Sequence, residues 1–409
     1  MTIVTGRKDN GQGKFGNQHK CIKVIKGAEK MYIPYGRQWI EEDDIEAVVE
    51  VLKSDFLTTG PKIAEFEKKV AEYTGAKYAV AVSNGTAALH IACLAAGITK
   101  GDEVITSPIT FAASANCTLY CGGKPVFADI DKDTYNISPQ SIREKITEHT
   151  KAIIPVHYTG QPCEMDEIHA IAKEHHLLVI EDGAHALGAS YKGKKVGSMS
   201  DMTIFSFHPV KHITTGEGGM VLTNNEELYQ KLQYFRTHGI TRDASLMEKN
   251  EGAWYYEQID LGYNYRITDF QSALGISQLK KLNQFVARRK EIAKKYDEAF
   301  SKLSWIVTPY QSEHCDSSWH LYVIKLKGAD RKKVFDKLRE NGIGVNVHYI
   351  PVYHHPYYQK HGNQDVYCEH AEELYANCIS IPMYPGLTDD ELDYVIEKIK
   401  EIGEEYGYH

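Results

Sequence analysis

The chain has 409 residues, of which 42% are hydrophobic and 25% are charged, with 47 lysines and arginines against 55 aspartates and glutamates. This composition indicates a globular protein of two or three domains and excludes collagen-like, coiled-coil and disordered classes. The formal net charge of −8 and the lack of a long basic cluster argue against nucleic acid, so we expect small-molecule partners. No apolar run approaches the roughly 18 residues of a membrane span, so we expect no membrane partner.

The eight cysteines are scattered along the chain and include no Cys-x-x-Cys pair. This spacing supports neither a zinc ribbon nor a thioredoxin-like redox site. We therefore expect free, mostly buried thiols and a cytoplasmic location, because disulfides are rare in reducing compartments.

The first thirty residues differ from the rest in charge. They carry seven basic and two acidic side chains, a net charge of +5, which leaves −13 for residues 31–409. They contain Gly11-x-Gly13-x-x-Gly16, but polar residues stand where a dinucleotide-binding motif needs a hydrophobic strand. We expect residues 1–30 to be a flexible, dispensable basic extension without a nucleotide site.

Regular patterns begin after residue 39. A first helix is predicted by apolar residues spaced along one helix face, namely Ile45, Val48, Val49 and Leu52. A second helix begins with Pro61. Seven short apolar runs then alternate with helical stretches: Tyr78–Val82, Val104–Ser107, Pro125–Ala128, Ala152–Val156, Leu177–Ile180, Thr203–Phe207 and Met220–Thr223. Such alternation predicts an α/β fold with a parallel or mostly parallel sheet that is buried on both faces.

The last third of the chain predicts a smaller α+β domain. A long helical pattern runs from Thr268 to about Phe300, and a strand candidate follows at His320–Leu326. The chain closes with a helix that a capping box, Thr388-x-x-Glu391, precedes. We expect a segment of the small domain at 31–45, a large domain at 46–275, and a connector helix with the small domain at 276–409.

Four candidate features follow predicted strands, and the carboxyl ends of parallel strands are where such sheets bind ligands. They are Asn84-Gly85-Thr86 at a helix start, the acids Glu181-Asp182, Lys211 before a glycine-rich run, and Thr110-Phe111. Taken alone, each has an ordinary explanation: a capped turn, a helix cap, a surface lysine or a core aromatic. Together they are the parts that pyridoxal 5′-phosphate (PLP) requires: a phosphate cup, a partner for the ring nitrogen, an amine and a ring platform.

Three segments resemble the DegT/DnrJ/EryC1 family of PLP-dependent nucleotide-sugar aminotransferases. They are Asn84–His90, Glu181–Gly188 and Phe205–Gly219, and the likeness extends over about residues 32–405. The resemblance implies PLP-dependent transferase fold type I and a homodimer whose active sites lie at the subunit interface.

The resemblance also implies the residues that bind the cofactor. Lys211 resembles the lysine that binds PLP covalently, Asp182 the partner of the pyridine nitrogen, and His185 the residue at the cofactor O3′. The remaining contacts carried over are Gly85, Thr86 and Ser206 at the phosphate, Phe111 as the ring platform, and Asn264 reaching the phosphate of the neighbouring subunit.

Within the family, the segments Thr106–Asn116, Cys121–Phe127 and Val347–Tyr353 are similar to the pseudaminic acid branch. This implies a UDP-linked 4-keto-6-deoxy-N-acetyl sugar as substrate and glutamate as amino donor. The resemblance places four residues near the substrate, each of which could equally be an ordinary packing or rim residue: Tyr35, Arg266, His348 and Tyr349.

Several alternatives stay open. The sugar could be of the bacillosamine or perosamine type, because no motif decides its stereochemistry or nucleotide. Sugar dehydratases of the family carry histidine in place of the lysine, and His212 adjoins Lys211. A non-catalytic relative would not need its lysine and acid intact. We expect no metal, because His348, His354 and His355 lack the spacing and the carboxylates of a metal site.

Overall fold

The computed structural model describes residues 32–408, which belong to one compact unit. The expected basic extension and its Gly-x-Gly-x-x-Gly motif lie outside the described residues. The division of the chain at residue 276 stays a prediction. None of the helices within 32–408 combines the length and the apolar character needed to cross a membrane.

Fifteen strands and twelve helices make up the described chain. The strands are β1 (Tyr78–Val82), β2 (Glu103–Thr106), β3 (Lys124–Phe127), β4 (Thr150–Ile154), β5 (Leu178–Asp182), β6 (Ser190–Tyr191), β7 (Lys194–Lys195), β8 (Met202–Ser206), β9 (Gly219–Thr223), β10 (Ile240–Thr241), β11 (Glu257–Gln258), β12 (Ile306–Val307), β13 (Cys315–Asp316), β14 (Tyr322–Leu326) and β15 (Cys378–Ile381). The helices are α1 (Glu42–Leu52), α2 (Pro61–Thr74), α3 (Gly85–Ala95), α4 (Ala113–Tyr120), α5 (Pro139–Lys145), α6 (Met165–His175), α7 (Glu226–Arg236), α8 (Asp269–Phe300), α9 (Arg331–Glu340), α10 (Pro356–Tyr358), α11 (Glu369–Asn377) and α12 (Asp389–Tyr406).

The central sheet has seven strands in the order β1-β9-β8-β5-β4-β2-β3. β9 is antiparallel to both of its neighbours, and the other six strands run in one direction. All seven predicted runs are strands of this sheet, and each predicted boundary lies within two residues of the observed one. The prediction of a mostly parallel α/β sheet is therefore confirmed.

Helices cover both faces of the central sheet. In β1, Val80 and Val82 pack with α3 and α7 on one face, whereas Ala79 and Ala81 pack with α2 and α8 on the other. This division follows from the alternation of side chains along a strand. Because both faces are buried, the ligand-accessible part of the sheet is the edge formed by the strand ends.

The long helix α8 joins the central sheet to a second, three-stranded sheet of order β12-β14-β15. A capping box at Thr268 and Gln271 begins the helix, and its second half packs on the small sheet through Tyr296 and Phe300. The predicted helix and its end at Phe300 are confirmed. The predicted strand at 320–326 begins instead at Tyr322, and α12 begins at the predicted capping box.

The predicted first helix is present, but its apolar face is exposed in the single chain. Ile45 is 48% exposed, Val49 38% and Leu52 55%, whereas Asp44 and Val51 are buried. The helix packs on α8 instead through Asp44, which accepts hydrogen bonds from Gln278 and Lys281. Of the predicted apolar face, Ile45, Val49 and Leu52 thus do not belong to the core of the chain.

Candidate active site

The carboxyl ends of the parallel strands open onto a cavity of about 910 Å³. All but two of the predicted site residues line it: Tyr35, Gly85, Thr86, Phe111, Asp182, His185, Ser206, Lys211, His348 and Tyr349. The exceptions are Asn264 and Arg266. Residues far apart in the sequence therefore meet in one cavity.

One wall of the cavity is the N-terminus of α3, where strand β1 turns into the helix. The Asn84 side chain caps the helix by accepting from the Ala87 N–H at 2.8 Å. A Cβ atom added to Gly85 would lie 3.0 Å from Cβ of Ser206, so the glycine lets the ends of two elements approach closely. The N–H groups of the first helical turn have no intrahelical acceptor, and together with the helix dipole they favour an anion here.

Asp182 ends β5 and is 5% exposed. Its Oδ2 accepts a hydrogen bond of 2.6 Å from the Ser114 hydroxyl, and its Oδ1 accepts from the Ala184 N–H at 3.1 Å. Thr110 Oγ1 lies 2.7 Å from Ser114 Oγ and completes a short chain of hydroxyl groups. The carboxylate is thus held in one orientation at the floor of the cavity.

Lys211 lies in the loop after β8 and is partly buried. Its Nζ is 3.4 Å from Nε2 of His320. Burial lowers the pKa of Lys211 to about 8, Asp182 opposes this shift, and Arg289 adds to it. About a tenth of these amines is therefore neutral near pH 7, far more than for an ordinary lysine, which suits a lysine that must act as a nucleophile.

Histidines surround this lysine. His185 Nε2 and the Tyr349 hydroxyl are 3.1 Å apart, and the rings of His185 and His320 are tilted by 41° with their centroids 4.3 Å apart. His348 Nδ1 lies 2.8 Å from the Ser380 hydroxyl. Burial and then the charge of Lys211 lower the pKa of His185 and His320 far below their ordinary value, and that of His348 to about 4. These imidazoles are neutral at physiological pH.

The mouth of the cavity is aromatic. Phe111 is 65% exposed there, and Tyr35 and Tyr349 line the opposite wall. A second cavity of about 650 Å³ adjoins the first and shares Phe111 and Tyr349 with it. The combined space is large enough for a substrate that extends beyond the strand ends.

Asn264 and Arg266 lie outside the cavity of their own chain. Asn264 is exposed and pairs with Thr237, and Arg266 forms a bridge with Val82 of β1. Within the single chain, Arg266 therefore does not line the cavity, and its predicted substrate contact stays a prediction.

Three further polar residues at the site are missing from the sequence analysis: Ser114, His320 and Asn346. Ser114 falls inside a segment singled out only for its likeness to relatives, and His320 was assigned to a strand. No local pattern marks either of them, because their contacts to Asp182 and Lys211 span 68 and 109 residues of sequence.

The pattern of the DegT/DnrJ/EryC1/StrS aminotransferase family matches residues 38–400. The uncharacterized protein MJ1066 of Methanocaldococcus jannaschii is 48% identical over 91% of this chain and 97% of its own. The spore coat polysaccharide biosynthesis protein SpsC of Bacillus subtilis is 44% identical over 91% of this chain and 97% of its own. A UDP-4-amino-4,6-dideoxy-N-acetyl-beta-L-altrosamine transaminase of Campylobacter jejuni is 41% identical over 90% of this chain and 99% of its own.

Solved structures are similar to this chain over most of its length as well. PseC of Helicobacter pylori, an aminotransferase involved in the biosynthesis of pseudoaminic acid, has a TM-score of 0.86 at 34% identity and covers 92% of this chain and 100% of its own. Spr1654 of Streptococcus pneumoniae in its PLP form has a TM-score of 0.86 at 33% identity and covers 92% of this chain and 99% of its own. The fold is PLP-dependent transferase fold type I.

The cavity fits this cofactor. Gly85 and Ser206 both line the cavity at the α3 N-terminus, where the free N–H groups favour a phosphate, and Asp182 offers an oriented carboxylate for a ring nitrogen. The buried Nδ1 of His185 has no hydrogen-bond partner among the described residues, so it is free for a polar atom of the cofactor. The protein is a PLP-dependent sugar aminotransferase, and the chain belongs to the DegT/DnrJ/EryC1/StrS aminotransferase family.

Proposed function

We propose that this enzyme transfers the amino group of glutamate to the C4 ketone of a UDP-4-keto-6-deoxy-N-acetylhexosamine in pseudaminic acid biosynthesis. The observation that carries the proposal is the convergence of an amine, a carboxylate and an anion-binding helix start in one cavity with an aromatic mouth. The choice of sugar is supported by the Campylobacter transaminases, at 41% and 39% identity, and by PseC.

We assign Lys211 and Asp182 as the catalytic residues. When bound, the cofactor supplies an aldehyde that takes up an amino group and an electron-withdrawing ring. Lys211 would hold the cofactor at its aldehyde group, and its amine would move a proton at the donor Cα. Asp182 keeps the ring nitrogen protonated, because its carboxylate is buried and oriented by Ser114.

We assign the remaining cofactor contacts by their place on the cavity wall. Gly85, Thr86 and Ser206 hold the phosphate at the start of α3. Phe111 would cover one face of the ring, and the unpartnered Nδ1 of His185 would be available to the ring oxygen.

The sugar nucleotide binds at the aromatic mouth. Tyr35, His348 and Tyr349 line this part of the cavity, and all three are polar groups on an apolar wall. Because His348 is neutral above about pH 4, it acts as a hydrogen-bond partner rather than as a charge. The positive charge for the diphosphate comes from Arg266.

We propose a homodimer in which Asn264 and Arg266 serve the site of the partner subunit. Both lie outside the cavity of their own chain, yet their side chains suit a phosphate and a diphosphate. The exposed apolar residues of α1 continue into Phe56, 53% exposed, and Leu57, 46% exposed, which gives one chain a large apolar face to bury against a second copy.

We place the enzyme in the cytoplasm, because all seven cysteines recorded for the described chain are free thiols. Cell fractionation tests this location, and recovery of the native protein from an oxidising compartment would contradict it.

A different nucleotide 4-keto sugar is the alternative substrate. The 44% identity to a spore coat polysaccharide biosynthesis protein supports this alternative. The dehydratase alternative has no such support. His212 donates from Nε2 to the Ser318 carbonyl oxygen at 3.0 Å and does not line the cavity, whereas Lys211 does.

The substrate is tested by incubating the enzyme with glutamate and a panel of UDP-, dTDP- and GDP-4-keto-6-deoxy sugars, with both C5 epimers of the UDP sugar included. Amination adds a defined mass to each nucleotide sugar. We expect turnover of the UDP-linked N-acetyl sugars. Exclusive turnover of a dTDP or GDP sugar would refute the proposed substrate but not the aminotransferase activity.

A further inference from the structure

Arg289 of α8 is fully buried below the candidate active site, at 0% exposure. Its Nη1 donates to three backbone carbonyl oxygens: Trp319 at 3.1 Å, His320 at 3.1 Å and Met383 at 3.0 Å. These carbonyls belong to the segment before β14 and to the segment after β15. The guanidinium therefore holds two strand connections of the small sheet against α8.

No carboxylate within residues 32–408 compensates this buried charge. Burial alone lowers the pKa of Arg289, to about 9, and the Nε and Nη2 atoms have no hydrogen-bond partner there. The neighbouring Arg288, by contrast, forms ion pairs with Glu291 and Asp389. A buried cation without a counter-ion carries a large desolvation penalty, so a structural clamp alone is a poor explanation for an arginine at this position.

The segment that Arg289 holds includes His320, which lies beside the reactive lysine. Trp319 has a φ of +52°, which is unfavourable for a bulky residue and must be held by its surroundings. This backbone shape presents the His320 ring to the cavity, where Nε2 lies 3.4 Å from Nζ of Lys211. A neutral imidazole offers one acceptor nitrogen, so His320 can accept an N–H of the amine and fix its direction.

We propose that Arg289 is a positioning residue for Lys211: through the Trp319 and His320 carbonyls it places the His320 ring against the amine, and its uncompensated positive charge favours the neutral form of that amine. The inference rests on the proposed role of Lys211. It adds to that role a residue that touches neither cofactor nor substrate.

The electrostatics around the lysine agree with this geometry. After burial, Arg289 is the group that lowers the pKa of Lys211, and Asp182 is the one that raises it. The charged and titratable groups that act on Lys211 or respond to its charge are Asp182, His185, His212, Arg289, His320 and His348. The four histidines are neutral near pH 7, so Arg289 supplies the positive potential.

The test measures the protonation of Lys211 directly. The full-length chain is freed of cofactor with hydroxylamine, acylated with acetic anhydride from pH 6 to 11, and analysed by mass spectrometry of the Lys211 peptide. Wild type should label with a midpoint near 8. Arg289→Met should move the midpoint upward by about one pH unit, which is about a tenfold loss of labelling rate at pH 7.

Two variants serve as matched controls. Arg289→Lys retains a positive charge and should keep the wild-type midpoint, and Arg288→Gln removes the adjacent guanidinium from the solvent side and should also keep it. His320→Phe retains a ring without nitrogen. We expect it to keep the midpoint but to slow the capture of added PLP at every pH, as followed by visible absorbance.

The proposal is overturned if Arg289→Met labels with the wild-type midpoint, or if His320→Phe captures PLP at the wild-type rate. If urea denaturation shows that Arg289→Met does not fold, the test rests on the labelling midpoint of wild type and on the behaviour of His320→Phe. A wild-type labelling midpoint near 10.5 then contradicts the proposal. Acylation needs no bond between Lys211 and the cofactor. If the midpoint shifts in Arg289→Met but PLP is bound to another lysine, the proposed role of Lys211 in the function is therefore refuted, whereas the inference about Arg289 stands.

Discussion

The carboxylate of Asp182 is held by two donors, of which only the Ser114 hydroxyl comes from a distant part of the chain. This contact is short, at 2.6 Å, and buried, so it belongs to the stronger class of hydrogen bonds to charged groups. Ser114 lines the cavity near the start of α4, and its hydroxyl forms a hydrogen bond with the Thr110 hydroxyl. The orientation of the acid thus depends on one side chain.

Replacement of Ser114 by alanine should weaken PLP binding about tenfold, the equivalent of about 1.4 kcal/mol, because Asp182 would lose a fixed donor and rotate more freely. Equilibrium dialysis with PLP measures this. Ser272→Ala is the control, since this buried hydroxyl bonds only within α8. Equal PLP affinity in both variants would show that the Ser114 contact is incidental.

Acid should destabilise the protein through its buried histidines, which are His185, His212, His320 and His348. Their pKa values lie below the ordinary 6.5, mainly because of burial. Between pH 6.5 and about 4 the unfolded chain therefore binds more protons than the folded protein, and stability falls as the pH falls. Each histidine contributes up to about 1.4 kcal/mol per pH unit.

This prediction is checked by urea unfolding from pH 7 to 4.5. His212→Gln removes one buried imidazole that does not line the cavity, so the free energy of unfolding should decline less steeply with acid than in wild type. Parallel curves for the two proteins would mean that His212 is protonated in the folded state.

At the scale of elements, β9 packs against the start of α3, which we propose binds the phosphate. A Cβ atom added to Gly219 would lie 2.4 Å from the Asn84 carbonyl oxygen and 2.8 Å from the Gly85 N. Gly219→Ala should push the start of α3 and raise the dissociation constant of PLP at least about tenfold. Fluorescence titration measures this, with Met220→Leu as a volume-conserving control in the same strand. An unchanged affinity for PLP would show that the start of α3 can move without weakening cofactor binding.

The elements were predictable where their pattern is local. The seven buried strands read as short apolar runs, and α8 begins at a capping residue. The antiparallel insertion of β9 between β1 and β8 was not predictable, since pairing partners leave no mark on a fully buried strand. The exposure of the apolar face of α1 could not be predicted for a related reason. Periodicity identifies an apolar face but does not show which element covers it.

The site was predictable through its resemblance to relatives, and the convergence of Lys211, Asp182 and Gly85 follows from their places after parallel strands. Ser114, His320 and Arg289 were not, because each acts through a contact between distant elements. Arg289 in particular lies in the predicted connector helix, and nothing in that helical pattern indicates that its side chain is fully buried.

At the scale of the whole molecule, the proposed sharing of active sites between two subunits predicts complementation between inactive subunits. Lys211→Ala and Arg266→Ala should each be inactive as pure proteins. Mixed dimers would then contain one site with both defects and one with neither, so equal mixing should restore about a quarter of wild-type activity. Mixing is achieved by co-refolding, and the dimer is verified by light scattering. No recovery at any ratio would show that Arg266 does not act across the subunit boundary.

The central claim is that the cofactor is bound by Lys211 at the carboxyl ends of the sheet, and borohydride reduction of the holoenzyme tests it most directly. Reduction fixes the pyridoxyl group on its lysine, and peptide mass spectrometry then identifies the site. We expect the added mass on the peptide that contains Lys211, and none in Lys211→Ala. The added mass on any other lysine, or its persistence in the variant, would contradict the site described for this enzyme.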